Sequence, residues 1–465
     1  MEKKTCIAMV PSPGLSHLIP LVEFAKQLVQ QHHNIYVTFL IPTLDSPSSS
    51  MLSILNNLPS NINFTILPQI NIQDLPQNAH FATKMSLTVK HSLPFLHEAL
   101  KSLSSSTNLA ALVFGMFSAD ALDVAKQFNL LSYVFYATGA IFLSFIVSLP
   151  NIDDGVFTDL TNTVNIPGYV VPYKVKDLPD PIPNERSSKS IVGTSKLLSL
   201  VDGVIVNSFT DLEGDAIRAL EEKRLNGKSA PCVYPIGPII QSKSTNNENQ
   251  FECIEWLNKQ PPKSVLYVSF GSGGTLSQDQ LNELAFGLEL SNKKFLWVLR
   301  APSNSSSSAY LTRQKENPLD YLPLGFLERT KAQGLVVPSW APQIQVLSHG
   351  SIAAFLSHCG WNSTLESVVH GVPVIAWPLF AEQRMNAVTL TQVLKVAIRV
   401  KVDDESGIVK RDEIAKVIKR IMEGNEGLEI SKRIKNLSYA ASATLSQNGS
   451  SYNVLSDLAL KWQNI

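Results

Sequence analysis

Residues 352–370 read Ile-Ala-Ala-Phe-Leu-Ser-His-Cys-Gly-Trp-Asn-Ser-Thr-Leu-Glu-Ser-Val-Val-His. The apolar run Ile352–Leu356 is a buried strand, Gly360 sits in the turn, and Ser363–His370 is a helix. A strand, a glycine turn and a helix in so short a stretch form the repeating unit of a parallel sheet covered by helices.

The alternation continues on both sides. Downstream come strand Pro373–Trp377, helix Ala381–Leu394, strand Ala397–Val400 and helix Arg411–Met422, then helical segments Glu429–Ser446 and Tyr452–Trp462. Upstream, strand Ser264–Phe270 passes through Gly271-Ser-Gly-Gly274 into helix Gln278–Ser291. Strand Lys294–Arg300, a loop Ala301–Leu324, strand Leu335–Val337 and helix Gln343–His349 follow. The first 240 residues repeat the theme, with strands Cys6–Val10, Ile35–Ile41, Asn63–Leu67, Ala110–Phe114, Ser132–Ala137 and Gly203–Asn207, and a helix Leu18–Gln31. Between them Gln241–Gln250 is polar and without periodicity. The expected fold is α/β, with two doubly wound halves at 1–240 and 253–450 and a linker at 241–252. A last helix, 451–465, is placed to pack back on the first half. Ligands of such sheets bind beyond the carboxyl ends of the strands, so the cleft between the halves is the expected site.

Composition narrows the function. The 465 residues carry 39 basic and 39 acidic side chains, and no basic stripe suited to nucleic acid appears. The four cysteines form no CxxC pair, which argues against a disulfide framework or a zinc knuckle. Leu130–Asn151 has no charge, but Thr138-Gly139 divides it into a strand and a helix, so no membrane span is expected. The uncharged run Thr5–Val10 is too short for a signal peptide, which makes the cytosol the expected location.

Three places could carry chemistry. His17 begins the first helix, where the dipole disfavours imidazolium, so it is a candidate general base or simply a residue satisfied by loop carbonyls. Gly271-Ser-Gly-Gly-Thr-Leu276 could cradle an anion, although Leu276 stands where a dinucleotide loop has its third glycine. The densest signal is at 340–383. His358 and Ser363 flank a helix N-terminus suited to phosphate, and Glu366, one turn on, suits a ribose diol.

Trp340-Ala-Pro-Gln343, His358-Cys-Gly-Trp-Asn-Ser363, Glu366 and Glu382-Gln383 together resemble the signature box of plant UDP-sugar-dependent glycosyltransferases of small molecules. The resemblance covers the whole chain. Tyr267-Val-Ser-Phe-Gly-Ser-Gly-Gly-Thr275 is most similar to the phenol, hydroquinone and monolignol glucosyltransferase group, with an indoxyl-type acceptor also open. It implies a GT-B fold and inverting transfer of glucose from UDP-glucose, a co-substrate, to a small aromatic hydroxyl. Trp340 would stack on uracil beside Ala341 and Gln343, and Glu366 would hold the ribose. Ser272, His358, Asn362 and Ser363 would surround the diphosphate, and Gly360 would belong to the donor-binding set. Trp361, Glu382 and Gln383 would hold the sugar, with Gln383 favouring glucose, and His17 would be the base. The family's usual carboxylate partner of that histidine is replaced by Gly115, leaving Asp120 as a substitute candidate. Met85, Met116, Phe117, Phe142, Phe145 and Ile146 are candidate acceptor-lining residues or ordinary core. No D-x-D triplet occurs, so no metal and no other cofactor is expected, and charge on the leaving UDP falls to dipoles and His358. A monomer is expected. Two rivals remain. One is an NADP-dependent oxidoreductase using Gly271–Gly274 with Arg300 on a 2′-phosphate. The other is a non-catalytic UDP-sugar binder, suggested by Gly115.

Overall fold

The structure, a computed structural model, describes residues 4–44, 46–71, 81–179, 193–227, 230–242, 251–306 and 317–465. Most of the expected linker, 243–250, lies outside the described residues, as does 307–316 of the long loop.

The strands in chain order are β1 (Thr5–Val10), β2 (Ile35–Ile41), β3 (Ile62–Ile66), β4 (Asn108–Gly115), β5 (Leu131–Tyr136), β6 (Thr163–Val164), β7 (Tyr173–Lys174), β8 (Gly203–Val206) and β9 (Val233–Pro235). The second half holds β10 (Val265–Ser269), β11 (Lys294–Leu299), β12 (Gly334–Pro338), β13 (Ile352–Ser357), β14 (Val374–Ala376) and β15 (Ala397–Arg399). One parallel sheet runs β3-β2-β1-β4-β5-β8-β9 and another β12-β11-β10-β13-β14-β15. β6 and β7 form a small antiparallel ribbon. Strands covered on both faces read as continuous apolar runs, as Ile7–Val10 does, with every side chain buried.

Each sheet reverses direction once, between β1 and β4 and between β10 and β13. At such switch points the loops diverge and leave a crevice. His17 follows β1 and Gly115 ends β4, while Gly271 follows β10 and His358 follows β13. The sequence-selected residues therefore cluster at the two switch points.

The uncharged stretch 130–151 resolves into β5 and a helix Ala140–Ser148, and no helix among the described residues is long and apolar enough to cross a membrane. The buried Glu213 carboxylate accepts from the Ala140 and Ile141 amides (2.7 and 3.0 Å) and from the Ser208 hydroxyl (2.5 Å), so it caps that helix. The helix expected at Ala381–Leu394 is shorter, Gln383–Val388, and continues as one π-helical turn, Thr389–Val393.

The last helix, Ser450–Gln463, buries Leu455, Leu458, Ala459 and Trp462 in the same apolar cluster as Phe24, Tyr133 and Phe135 of the first sheet. Trp462 meets Tyr133 edge-on at 5.4 Å, and Ser451 Oγ donates to the Gly237 carbonyl (2.6 Å). Elsewhere Arg399 pairs with Asp177 (2.7 Å), and Tyr173 hydrogen-bonds Thr389 (3.0 Å), joining the ribbon side of the first half to the second.

Candidate active site

The helix Trp361–His370 starts at Gly360, directly after the turn that leaves β13. Cys359 takes a left-handed backbone there (φ 63°), which turns the chain sharply into the helix. His358 lies against two glycines. A Cβ on either Gly271 or Gly360 would come within 2.5 Å of the imidazole, so only glycine admits the ring at this spot. Desolvation lowers the His358 pKa from 6.5 to about 4, and its Nδ1 is buried without a partner. At neutral pH His358 therefore offers a hydrogen bond but no charge.

Gln343 is the hub of the next turn. Its amide nitrogen donates to Ser363 Oγ (2.8 Å) and Glu366 Oε2 (2.6 Å), while its oxygen accepts from Tyr267 OH (3.2 Å). Burial lifts the Glu366 pKa to about 7 against the lowering effect of Gln343. Tyr267 was quoted only as part of a motif; its hydroxyl sets which way Gln343 points. Trp340, just beyond β12, keeps 60% of its surface exposed, an open aromatic face at the rim. Phe251 meets it edge-on at 5.7 Å and fixes its plane. Phe251 was missed because it stands beside the linker, 89 residues from its partner. Ala341 is buried beside Trp340, and Ser272 is exposed on the glycine turn.

The sugar candidates are less uniform. Gln383 Oε1 accepts from the Leu379 and Phe380 amides (2.9 and 3.0 Å), which leaves its amide nitrogen as the group able to face a hydroxyl. Glu382 starts that helix, with its pKa raised by burial. Trp361 differs from expectation. Its indole is buried and donates to the Asn207 carbonyl of the first half (2.8 Å), so its ring is committed across the junction.

On the opposite wall, Gly14 (φ 111°) ends the first loop, and the helix Leu15–Gln31 begins three residues earlier than expected. His17 stands in its first turn. Desolvation lowers its pKa to about 4, and Phe117 touches its ring edge-on at 5.4 Å. Asn362 Nδ2 donates to the Ser16 carbonyl (3.1 Å), so the second half's helix N-terminus is tied to the residue before His17.

Gly115 has a steric counterpart. A Cβ there would lie 2.4 Å from Ser12 Oγ and 2.7 Å from Ser12 N. Ser12 Oγ itself accepts from the Phe117 amide (3.0 Å). The loop thus occupies the space a carboxylate side chain would need. Asp120 stands at the start of helix Ala121–Gln127, and its side chain makes no capping hydrogen bond there. Of the apolar candidates, Met116, Phe117 and Phe142 are partly exposed, whereas Met85, Phe145 and Ile146 are buried in the core. Among the described residues no group of three His, Cys, Asp or Glu is arranged to hold a metal ion.

Comparison with known proteins adds to this geometry. The family described as UDP-glucoronosyl and UDP-glucosyl transferase matches residues 234–429. A hydroquinone glucosyltransferase of Rauvolfia serpentina is 48% identical over 471 residues, spanning 100% of this chain and 99% of the relative. UDP-glycosyltransferase 72B2 of Arabidopsis thaliana is 47% identical, spanning 98% of this chain and 96% of its own. A solved UDP-glucosyltransferase from Polygonum tinctorium, capable of glucosylating indoxyl and seen with 3,4-dichloroaniline, superposes with a TM-score of 0.91. It is 45% identical and covers 100% of this chain and 99% of that one.

Proposed function

The chain belongs to the family of UDP-glucoronosyl and UDP-glucosyl transferases, and on that premise we propose that it transfers glucose from UDP-glucose to the hydroxyl of a small phenolic acceptor. The observation that carries the reading is the Asn362 bond to Ser16, which holds the anion-binding helix end beside His17. An acceptor and a nucleotide sugar in the cleft would meet there.

In this reaction His17 takes the phenolic proton as the oxygen attacks the anomeric carbon. The bond to the UDP oxygen breaks on the opposite side, and the departing diphosphate carries away the electron pair. One in-line displacement inverts the anomeric centre. Trp340 stacks on uracil, Glu366 accepts from the ribose hydroxyls, and the N-terminus of helix Trp361–His370 faces the phosphates. Glu382 and the Gln383 amide hold the sugar. Met116, Phe117 and Phe142 line the acceptor side. The enzyme acts without a metal, as a monomer of the cytosol.

The test incubates the protein with UDP-glucose and hydroquinone, with and without excess chelator, and reads glucoside and its anomeric configuration. The expected product is the inverted β-glucoside at equal rates in both arms. Binding without UDP release would point to the non-catalytic alternative, and a drop of about tenfold with chelator, roughly 1.4 kcal/mol of barrier, would overturn the metal-free step.

A further inference from the structure

The mechanism above makes no use of Arg300. It directly follows β11, at the carboxyl end of the second sheet and next to β10, whose glycine turn opens the helix Gln278–Ser291. With Gly271, Gly274, Thr275, Leu276 and Trp297 it lines a narrow recess. Its Nε is buried without a hydrogen-bond partner, and among the described residues no carboxylate pairs with it. Burial alone acts on its pKa, pulling it down. A buried donor without an acceptor is costly, and in a half-buried arginine it marks a group suited to an anion.

The recess adjoins the phosphate site. Gly271 is the wall they share, since it lines the recess and a Cβ on it would come within 2.5 Å of the His358 ring. The donor pocket is otherwise poor in positive charge. His358 is neutral, and Glu366 and Glu382 are carboxyls. A nucleoside diphosphate brings negative charge into this pocket, and more develops as the glycosidic bond breaks. A helix end supplies only part of an opposite charge.

Resting on the donor reading above, we propose that Arg300 is the counter-charge for the donor's diphosphate, meeting it at the Gly271–Thr275 turn. Arg300 then stabilises the bound nucleotide and the leaving group.

The experiment titrates UDP, UDP-glucose and uridine into the full-length parent, Arg300→Gln and Arg300→Lys, at low and high salt, and melts each protein without ligand. Arg300→Gln should weaken UDP and UDP-glucose by tenfold or more while uridine changes less than twofold. The salt dependence of UDP binding should flatten. Arg300→Lys should retain part of the affinity. Ligand-free Arg300→Gln should melt no lower than the parent, because the half-buried guanidinium leaves its Nε without an acceptor. Equal losses for uridine and UDP, no loss for UDP, or a glutamine variant that melts lower or fails to fold would overturn the assignment in favour of a structural role. A parent chain that binds no UDP would sink the donor reading itself and this inference with it.

Discussion

In the proposed mechanism, burial sets the strength of His17 as a base. With its pKa near 4, the imidazole remains unprotonated through the whole range above that value. A histidine at the ordinary 6.5 would lose its base form as pH falls through 6.5. We therefore expect kcat/KM to show no histidine limb between pH 7 and 5, read on an acceptor whose own ionisation lies well above that range. His17→Ala should cost about 10²–10⁴-fold, the usual contribution of a general base. A desolvated imidazole is a weak base, so acceptors that release a proton easily are favoured. A phenol titrates near about 10, and a benzylic alcohol of the same size should turn over far more slowly. Comparable rates would mean that a second group assists, with Asp120→Asn the first variant to examine. Restoring a carboxylate at position 115 is not expected to help. Gly115→Asp forces its Cβ against the Ser12 hydroxyl and backbone, so it should lower the melting temperature without raising the rate. The absence of the carboxylate was legible as a letter in the sequence. The way Ser12 fills the gap was not, because it depends on two loops 103 residues apart meeting in space.

Among the elements, the strand-turn-helix units were the most legible, because apolar strands and glycine turns leave local marks. The ends were less so: Leu15–Gln31 starts before its first apolar repeat, and the expected helix after Ala381 changes pitch at Thr389. Capping across a distance left no local mark at all. The helix Ala140–Ser148 has no side-chain cap at its own Gly139, and a Cβ there would strike the Glu213 carboxylate at 2.4 Å. The sequence around residue 139 shows only a glycine break, while the capping group arrives 73 residues later. Glu213→Ala strands two amides and a hydroxyl in the interior. At roughly 1–3 kcal/mol for each unsatisfied buried group, a loss of about 3 kcal/mol or more is expected in chemical denaturation. Glu213→Gln, which keeps one acceptor oxygen, should lose less. Equal losses for the two variants would show that side-chain volume, not the accepted hydrogen bonds, is what holds this helix.

At the scale of the molecule, the donor-side helix reaches into the first half through two adjacent residues, Trp361 to Asn207 and Asn362 to Ser16. Neither partner was visible in the sequence, since 154 and 346 residues separate the pairs. Trp361→Phe keeps the ring's bulk but removes the indole donor. It should lower kcat with phenol and leave UDP affinity within about twofold, because the bond joins halves rather than ligand. A parallel fall in UDP affinity would place the indole's effect on the donor instead. The closing helix has a temporal meaning as well. Trp462 and Leu458 complete a core otherwise assembled from the first 136 residues and a few beyond them. Those residues leave the ribosome long before the helix that makes their last wall. Until that helix is made, the face bearing Phe24 and Tyr133 stays open to chaperones and proteases. A nascent chain arrested before Ser450 should be cleaved by protease in its N-terminal half, whereas the released chain, a few seconds older, should not.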